Sequence, residues 1–326
     1  MNLRKSLISK SVPIKVGITM GDPSGIGPSI IAKALAKIGS LAEFYVIGDR
    51  GVFDRVLGMG YRVSGKNFID LNNVAHKNFR FGKIRAEYGR ASIEYLDKAL
   101  ELIKNKKIDC LVTCPISKEA INLAGFRYAG HTEYFAQKTR VRDPVMMLLN
   151  KELKISLVTR HIPLRKVPIQ FTENKIYKTI LLTYKSLREL FLIDNPRLVV
   201  CGLNPHASDN GLIGQEEKRV IKPALRKLSK IIRYIDGPLS SDVAITKAYC
   251  KEYDCIIAMY HDQALIPLKL TAKETGVNLT LGLPFIRTSP LHGTAFDIAG
   301  TGLADPTSLI EAMKLAIRCT LNQRKA

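Results

Sequence analysis

The stretch DCIIAMYHDQALIPLKLTAKETGVNLTLGLPFIRTSPLHGTAFDIAGTG, residues 254–302, alternates short apolar runs with polar and glycine-containing segments. Its first apolar run, residues 255–259, has the length and composition of a buried strand, and a histidine follows closely. In an open α/β sheet, polar side chains just beyond a strand line the crevice where ligands bind. The stretch therefore predicts an α/β fold with its chemistry at strand ends. The candidate side chains, which we expect in turns and loops, are His261, Asp262, Lys269, Asn278, Arg287 and His292.

The rest of the chain repeats this alternation of apolar strands and amphipathic helices, which predicts a parallel sheet. Two apolar runs at 144–150 and 153–164 lie close in sequence, and we expect them to pair as antiparallel neighbours. The glycine-rich loop MGDPSGIGP, residues 20–28, matches neither the dinucleotide nor the P-loop signature. Its glycines are equally consistent with a tight turn and with ligand contact.

Composition excludes several classes of protein. The chain has 326 residues and 46% hydrophobic content, enough for a full core, and it contains no apolar run long enough for a membrane span. The net charge of +21 comes from scattered lysines and arginines, which favours a basic surface over a nucleic-acid site. The six cysteines form no CxxC pair, which is typical of a reducing cytoplasm.

Three of the six histidines, His161, His206 and His261, each follow a predicted strand. Three neutral imidazoles are the ligands of many catalytic zinc sites, because they hold the ion and leave one position open for substrate. A single histidine at a strand end is more often a structural residue, so both interpretations stand. If the three converge, the metal would favour oxidation of a secondary alcohol by a nicotinamide, followed by loss of carbon dioxide.

A second group of side chains suits an anionic substrate. Residues 130–133 are expected to open a helix whose first-turn amides would bind a phosphate, with His131 and Thr132 at that end. Lys269 and Arg287 would supply the cations. The competing interpretations are a helix cap at Thr132, a surface position for His131 and a solvated surface pair at Lys269 and Arg287.

Six motifs occur in order along the chain: GITMGDPSGIGPSI (17–30), GHTEYFA (130–136), TRHIPL (159–164), GLNPHASDNGLIGQEE (202–217), YHDQALIPLK (260–269) and VNLTLGLPFIRTSPLHGTAFDIAGTG (277–302). Together they resemble the 4-hydroxythreonine-4-phosphate dehydrogenase family of pyridoxal 5'-phosphate biosynthesis. The resemblance implies an isocitrate/isopropylmalate dehydrogenase-like α/β fold, with two α/β/α lobes around a central cleft. We expect one lobe at residues 1–130 plus 270–326 and the other at 131–269.

The same resemblance implies a set of functional residues and partners. The metal would be zinc, with magnesium or cobalt as alternatives, and the oxidant NAD or NADP. A cytoplasmic homodimer with its active site at the subunit interface is implied, with no nucleic-acid or membrane partner. The family's metal ligands fall on His161, His206 and His261. Its substrate contacts fall on His131, Thr132, Lys269, Asn278 and Arg287. The general base is not assigned, and Asp242 and Asp262 are the candidates.

The implied reaction oxidises 4-phosphooxy-L-threonine to 2-amino-3-oxo-4-phosphooxybutanoate, which decarboxylates to 3-amino-2-oxopropyl phosphate. The chain departs from the family pattern at Ala264, Pro290, Leu291 and residues 208–214, which affects the substrate's identity more than the reaction class. A dehydrogenase of D-erythronate or D-threonate 4-phosphate is therefore an alternative. A metal-dependent phosphate-ester hydrolase and a metabolite-binding protein are the alternatives from other classes.

Overall fold

The strands of the chain form one mixed sheet in a computed structural model that describes residues 13–58, 67–272 and 274–325. The spatial order is β3-β2-β1-β4-β11-β10-β5-β6-β9-β7-β8. In chain order the strands are β1 (Lys15–Thr19), β2 (Glu43–Gly48), β3 (Phe68–Asp70), β4 (Cys110–Thr113), β5 (Val145–Leu149), β6 (Lys154–Leu157), β7 (Arg197–Cys201), β8 (Tyr234–Leu239), β9 (Cys255–Ala258), β10 (Val277–Leu281) and β11 (Ile286–Pro290).

Strand direction changes near the middle of the sheet. β1 to β4 and β11 are mutually parallel, and so are β6, β9, β7 and β8. β10 runs antiparallel to both β11 and β5, and β5 is antiparallel to β6. The antiparallel β5–β6 pair was predicted and is confirmed. The prediction of a parallel sheet holds on either side but is wrong at the centre, where β10 and β11 form a hairpin.

The helices cover both faces of the sheet. No helix in the described part of the chain is long and apolar enough to cross a membrane. In chain order the helices are α1 (Gly27–Ile38), α2 (Arg50–Leu57), α3 (Ala86–Lys104), α4 (Lys118–Leu123), α5 (His131–Thr139), α6 (Val167–Gln170), α7 (Glu173–Phe191), α8 (Lys222–Leu228), α9 (Ser241–Tyr249), α10 (His261–Ala272) and α11 (Thr307–Gln323). Short 3-10 or π segments lie at His76–Asn78, Leu164–Lys166, Pro205–Gly211 and Glu217–Ile221.

Five of the six candidate side chains lie on regular elements, although we expected turns and loops. His261, Asp262 and Lys269 are on α10, Asn278 is on β10 and Arg287 is on β11. Pro267 lies inside α10, and the polar residues of β10 and β11 interrupt their apolar runs. The loop prediction is therefore wrong for these five and holds for His292, because tertiary packing overrides the local polar signal.

The core is divided by the sheet. A large cluster of apolar side chains fills most of the interior, and α11 packs within it against β11 and β4. A smaller cluster lies where α9 and α10 cover β5, β6, β9 and β7, and it contains Ala264 and Leu268. α10 is thus held by its buried face, which places its first residue, His261, at the end of β9.

The glycine-rich loop after β1 is a tightly packed turn. Gly21 has a positive φ of 74°, and a Cβ there would overlap the backbone of Pro115. A Cβ at Gly27 would overlap the carbonyl oxygen of Met20. Close backbone approach to the loop after β4 therefore accounts for Gly21, and close approach within the loop itself accounts for Gly27.

We predict that Gly89→Ala destabilises the fold. Gly89 lies where α3 meets α4, and an added Cβ would overlap the carbonyl group of Ala120. The overpacking costs roughly 1–3 kcal/mol, which exceeds the gain in helix propensity of about 1 kcal/mol. Denaturant unfolding should show a net loss. Gly293→Ala is the control, since a Cβ at Gly293 meets nothing within 4 Å. Equal stability of the two variants would contradict the prediction.

Candidate active site

A cavity of about 170 Å³ opens beside the central strands, and it brings together much of the predicted site. It lies where the β10–β11 hairpin meets the start of α5 and the loop after β4. Four of the five predicted substrate contacts line it, together with one predicted metal ligand: His131, Thr132, Asn278, Arg287 and His161.

Arg287 is the central residue of this cavity. Its side chain is 1% exposed, and its guanidinium donates hydrogen bonds to the hydroxyl groups of Thr113 and Thr280. The guanidinium also lies 5.9 Å from the centre of the Phe135 ring. Among the ion pairs of the described residues, none involves Arg287. Burial lowers the pKa of Arg287 to about 9, against the opposing effect of Glu133.

Several polar atoms around Arg287 are buried without a hydrogen-bond partner. They are Nε2 of His131, Oδ1 of Asn278 and Nε2 of His292, and all three residues line the same cavity. Buried polar atoms are normally satisfied, and each exception requires an explanation. A buried cation surrounded by unsatisfied donors and acceptors is the arrangement that a small, polar, anionic ligand would complete.

The helix α5 presents its N-terminus to this cavity, as predicted. It begins at His131, and Gly130 precedes it with an extended φ of 165°. Thr132 is buried in the first turn, where it does not cap the helix. Burial, followed by the nearby charge of Arg287, lowers the pKa of His131 well below its usual value. His131 is therefore neutral at pH 7 and adds no positive charge to the cavity.

The three predicted metal ligands follow three adjacent strands. β6, β9 and β7 are consecutive in the sheet and mutually parallel, so their carboxyl ends meet at one edge. His161 follows β6, His261 follows β9 and His206 follows β7. Neighbouring strands lie about 4.8 Å apart, so this order brings the three histidine-bearing segments together.

Two of the three histidine rings are close within one chain. The ring centres of His161 and His261 are 5.4 Å apart. Nδ1 of His261 lies 2.6 Å from Oδ1 of Asp262, an arrangement that leaves Nε2 available as a ligand. Partial burial, then the positive charge of Lys118, lowers the pKa of His161, which favours the neutral ring that metals bind.

The third histidine lies apart from this pair. Within residues 13–58, 67–272 and 274–325, no group of three His, Cys, Asp or Glu side chains is arranged to hold a metal ion. His206 begins a turn in which five consecutive residues, 206–210, have positive φ between 43° and 70°. Asp242 is exposed near it, and its pKa is lowered mainly by the Ser240 hydroxyl, with a smaller effect of His206. One chain therefore supplies two neighbouring imidazoles that suit a zinc-like ion.

Lys269 lines a second, larger cavity of about 360 Å³. The two cavities share His292 as a lining residue. Of the departures from the family motifs, Pro290 lines the first cavity and Leu291 the second, whereas Ala264 is buried in the smaller core cluster. Pro290 and Leu291 are therefore placed to influence which substrate fits.

The sequence reasoning missed Thr113 and Thr280, the two hydroxyl groups that hold Arg287. Thr280 is the direct partner of Arg287 across the β10–β11 hairpin, and β4, which ends at Thr113, pairs with β11 on its other side. Only the pairing register reveals these contacts. Polar residues at the ends of otherwise apolar runs were the one signal available.

Comparison with known structures identifies the class of fold. An isocitrate dehydrogenase from Methylococcus capsulatus is 14% identical, with a TM-score of 0.50 over 95% of this chain and 87% of that chain. At this low identity the likeness concerns the fold alone. The isocitrate dehydrogenase-like α/β fold predicted from the sequence is confirmed.

Comparison with families and relatives identifies the particular family. Residues 40–316 match the family "Pyridoxal phosphate biosynthetic protein PdxA", and the chain belongs to it. A 4-hydroxythreonine-4-phosphate dehydrogenase from Sulfurihydrogenibium sp. is 44% identical over 93% of this chain and 98% of the relative. A D-threonate 4-phosphate dehydrogenase from Cupriavidus necator is 39% identical over 94% and 97%. The crystal structure of a 4-hydroxythreonine-4-phosphate dehydrogenase from Klebsiella pneumoniae, 36% identical, has a TM-score of 0.85 over 96% of this chain and 99% of that one.

This membership confirms the predicted family and the prediction that the chain is an enzyme, an oxidoreductase of the dehydrogenase class. The buried Arg287 and the neighbouring histidines lie in its candidate active site.

We predict that Asp22, in the glycine-rich loop, makes stability depend on pH. Asp22 is fully buried with Oδ2 unpartnered, and burial raises its pKa from 3.8 to about 6. The protonated Asp22 carboxyl group makes its full contribution to the free energy of unfolding below pH 3.8. This contribution is lost as the pH rises through about 6, where the buried group ionises. Asp22→Asn should therefore raise the free energy of unfolding at pH 7.5 by up to about 3 kcal/mol, and by much less at pH 4.

Denaturant unfolding at the two pH values measures this effect. Asp305→Asn is the control with the opposite sign, because hydrogen bonds from Thr307 lower the pKa of Asp305. The prediction would be contradicted if Asp22→Asn changed the free energy of unfolding by the same amount at both pH values.

Proposed function

We propose that this enzyme oxidises 4-phosphooxy-L-threonine with NAD or NADP and a divalent metal. The product, 2-amino-3-oxo-4-phosphooxybutanoate, then decarboxylates to 3-amino-2-oxopropyl phosphate, in pyridoxal 5'-phosphate biosynthesis. The observation that carries the proposal is the buried Arg287 guanidinium, which has a cavity and unsatisfied polar atoms beside it. The names of the relatives support the choice of substrate.

The anionic end of the substrate would bind at Arg287. A buried charge without an ionic partner is costly, and a phosphate or carboxylate would offset that cost with charge-assisted hydrogen bonds. The neutral His131 and the amide of Asn278 would add donors, and the first-turn amides of α5 would add a favourable dipole. Lys269, which faces the adjacent cavity, would reach the substrate from the other side of His292.

The metal would be held by His161, His206 and His261, with zinc as the first choice and magnesium or cobalt as alternatives. When bound, such an ion stabilises negative charge on the substrate oxygen during oxidation and decarboxylation. His261, oriented by Asp262, and the neutral His161 suit this role. The hydroxyl proton would pass to a carboxylate, for which Asp262 and Asp242 remain the candidates, and the hydride to a nicotinamide.

A second copy of the chain would complete the site in a homodimer. The segments that carry His206 and His261 also expose large apolar side chains: Leu212 is 84%, Ile266 is 61% and Leu270 is 79% exposed. We infer that these exposed apolar side chains belong to a surface that another protein covers. A partner here would bury them and exclude water from the histidines. We place the enzyme in the cytoplasm, where its six free cysteines would stay reduced.

D-threonate or D-erythronate 4-phosphate is the second candidate for the substrate. The Cupriavidus necator relative supports it, and so do Pro290 and Leu291, which depart from the family motifs and line the two cavities. The same groups would bind its phosphate and oxidise its hydroxyl. A phosphate-ester hydrolase would use the metal and cations without a nicotinamide.

We predict that the purified protein with zinc reduces NAD or NADP when 4-phosphooxy-L-threonine is added. Absorbance of the reduced nicotinamide measures the rate. The threonate and erythronate phosphates, tested in parallel, should give a kcat/KM at least about 10-fold lower, because unpaired polar groups in a specific site are costly. The opposite ranking would assign the alternative substrate. Release of inorganic phosphate without nicotinamide reduction would show a hydrolase.

We predict that Arg287→Gln weakens substrate binding without destabilising the fold. Removal of a buried charge should leave the free energy of unfolding of the substrate-free protein unchanged or raised. The KM for the phosphorylated substrate should rise roughly 10–100-fold, since a charge-assisted hydrogen bond contributes about 1.5–3 kcal/mol.

Steady-state kinetics and denaturant unfolding test the two halves of this prediction. Arg85→Gln is the matched control, because Arg85 forms an exposed ion pair with Glu87 and should change neither quantity. A native KM in the Arg287 variant would remove that residue from the substrate site.

A further inference from the structure

Gln263 connects three separate elements through one buried side chain. The residue is 7% exposed. Its Oε1 accepts a hydrogen bond from the backbone N–H of Met259 at 2.6 Å, at the end of β9. Its Nε2 donates to the carbonyl oxygen of Gly202, after β7, at 2.8 Å, and to Oγ of Ser241, at the start of α9, at 2.6 Å. Both amide hydrogens and the amide oxygen are thus used.

Each of these elements carries a residue of the candidate active site. Met259 precedes His261, Gly202 leads into the turn that begins at His206, and Ser241 precedes Asp242. Main-chain pairing joins β9 to β7 only as far as Ile257 and Val200. Beyond the strands, the Gln263 amide connects the segments that carry the two histidines.

The turn at His206 needs such anchoring. Five consecutive non-glycine residues with positive φ cost free energy, and they persist only where the surroundings hold them. On one side, the buried carboxylate of Glu217 accepts hydrogen bonds from the N–H groups of Leu203 and Asn204. On the other, Gln263 holds the carbonyl of Gly202, where a Cβ would lie 2.9 Å from Cα of Ala207.

We propose that Gln263 is a positioning residue that holds the His206 turn, the Asp242 helix and His261 in one arrangement for metal binding. The proposal rests on the proposed metal site. Gln263 would touch neither metal nor substrate. Its contribution is geometric: loss of the amide frees the entry to the His206 turn, and the left-handed residues then relax.

Asn150, which lies between β5 and β6, provides a matched control because it also hydrogen-bonds to α10. Its Nδ2 donates to the carbonyl of Leu268 and to Oγ1 of Thr271, at the far end of α10. Its Oδ1 accepts from the N–H groups of Glu152 and Leu153. Asn150→Ala therefore removes an equally connected amide that holds the other end of α10, away from His261. It separates a general loss of packing from a specific loss of positioning.

The test compares Gln263→Glu, Gln263→Ala and Asn150→Ala in the full-length protein, with His206→Ala as the positive control. Gln263→Glu keeps the size of the side chain but replaces two donors by an acceptor that faces the Gly202 carbonyl. Zinc affinity is measured by competition with a chromophoric chelator. Hydrogen–deuterium exchange of the metal-free proteins follows residues 202–211, and thermal unfolding reports stability.

We expect zinc affinity to fall 10–100-fold in both Gln263 variants, with faster exchange across residues 202–211. Asn150→Ala should lose thermal stability but keep native affinity and native exchange there. Native zinc affinity and exchange in a folded Gln263 variant would overturn the proposal. So would an equal loss of affinity in Asn150→Ala.

If the native protein binds no zinc, the proposed metal fails, and the exchange of residues 202–211 alone decides the role of Gln263. If Gln263→Ala does not fold, Gln263→Glu carries the comparison.

Discussion

The candidate active site depends on a charged guanidinium held inside the sheet. Arg287 comes from β11, where two threonine hydroxyl groups, the face of Phe135 and the charge of Glu133 offset only part of the cost of its burial. Without an anion, its burial works against the folded state, as its lowered pKa indicates. The surrounding strands, α5 and the large core hold it there. Because folding has already removed the Arg287 guanidinium from water, an anionic substrate would bind without a further cost of desolvating it.

The change of strand direction at the centre of the sheet makes this position possible. The β10–β11 hairpin places Arg287 opposite Thr280, and the parallel pairing of β11 with β4 brings Thr113 to the same guanidinium. Farther along the sheet, β6, β9 and β7 run parallel and deliver three histidine-bearing segments to one edge. The proposed anion site and the proposed metal site thus belong to different groups of strands, and His161 lies at both the first cavity and the histidine pair.

Buried polar side chains fix much of the backbone geometry at that edge of the sheet. Backbone ladders end before the histidines, so Gln263 and the carboxylate of Glu217 hold the segments beyond the strands. Both are buried, and their hydrogen bonds to backbone groups fix the entry to a turn of unfavourable φ. Such a turn has few ways to relax while both anchors are present, which favours a fixed direction for His206.

The sequence by itself determined the α/β class, the β5–β6 pair, the start of α5 and the family, because apolar periodicity and ordered motifs are local properties of the chain. It also nominated the residues that gather around the first cavity. Tertiary structure decided the mixed centre of the sheet and the strand positions of Asn278 and Arg287. It also decided the helical position of Lys269, the role of Thr113 and Thr280, and the three contacts of Gln263. These features depend on pairing register and on contacts between distant segments, which no local pattern of residues encodes.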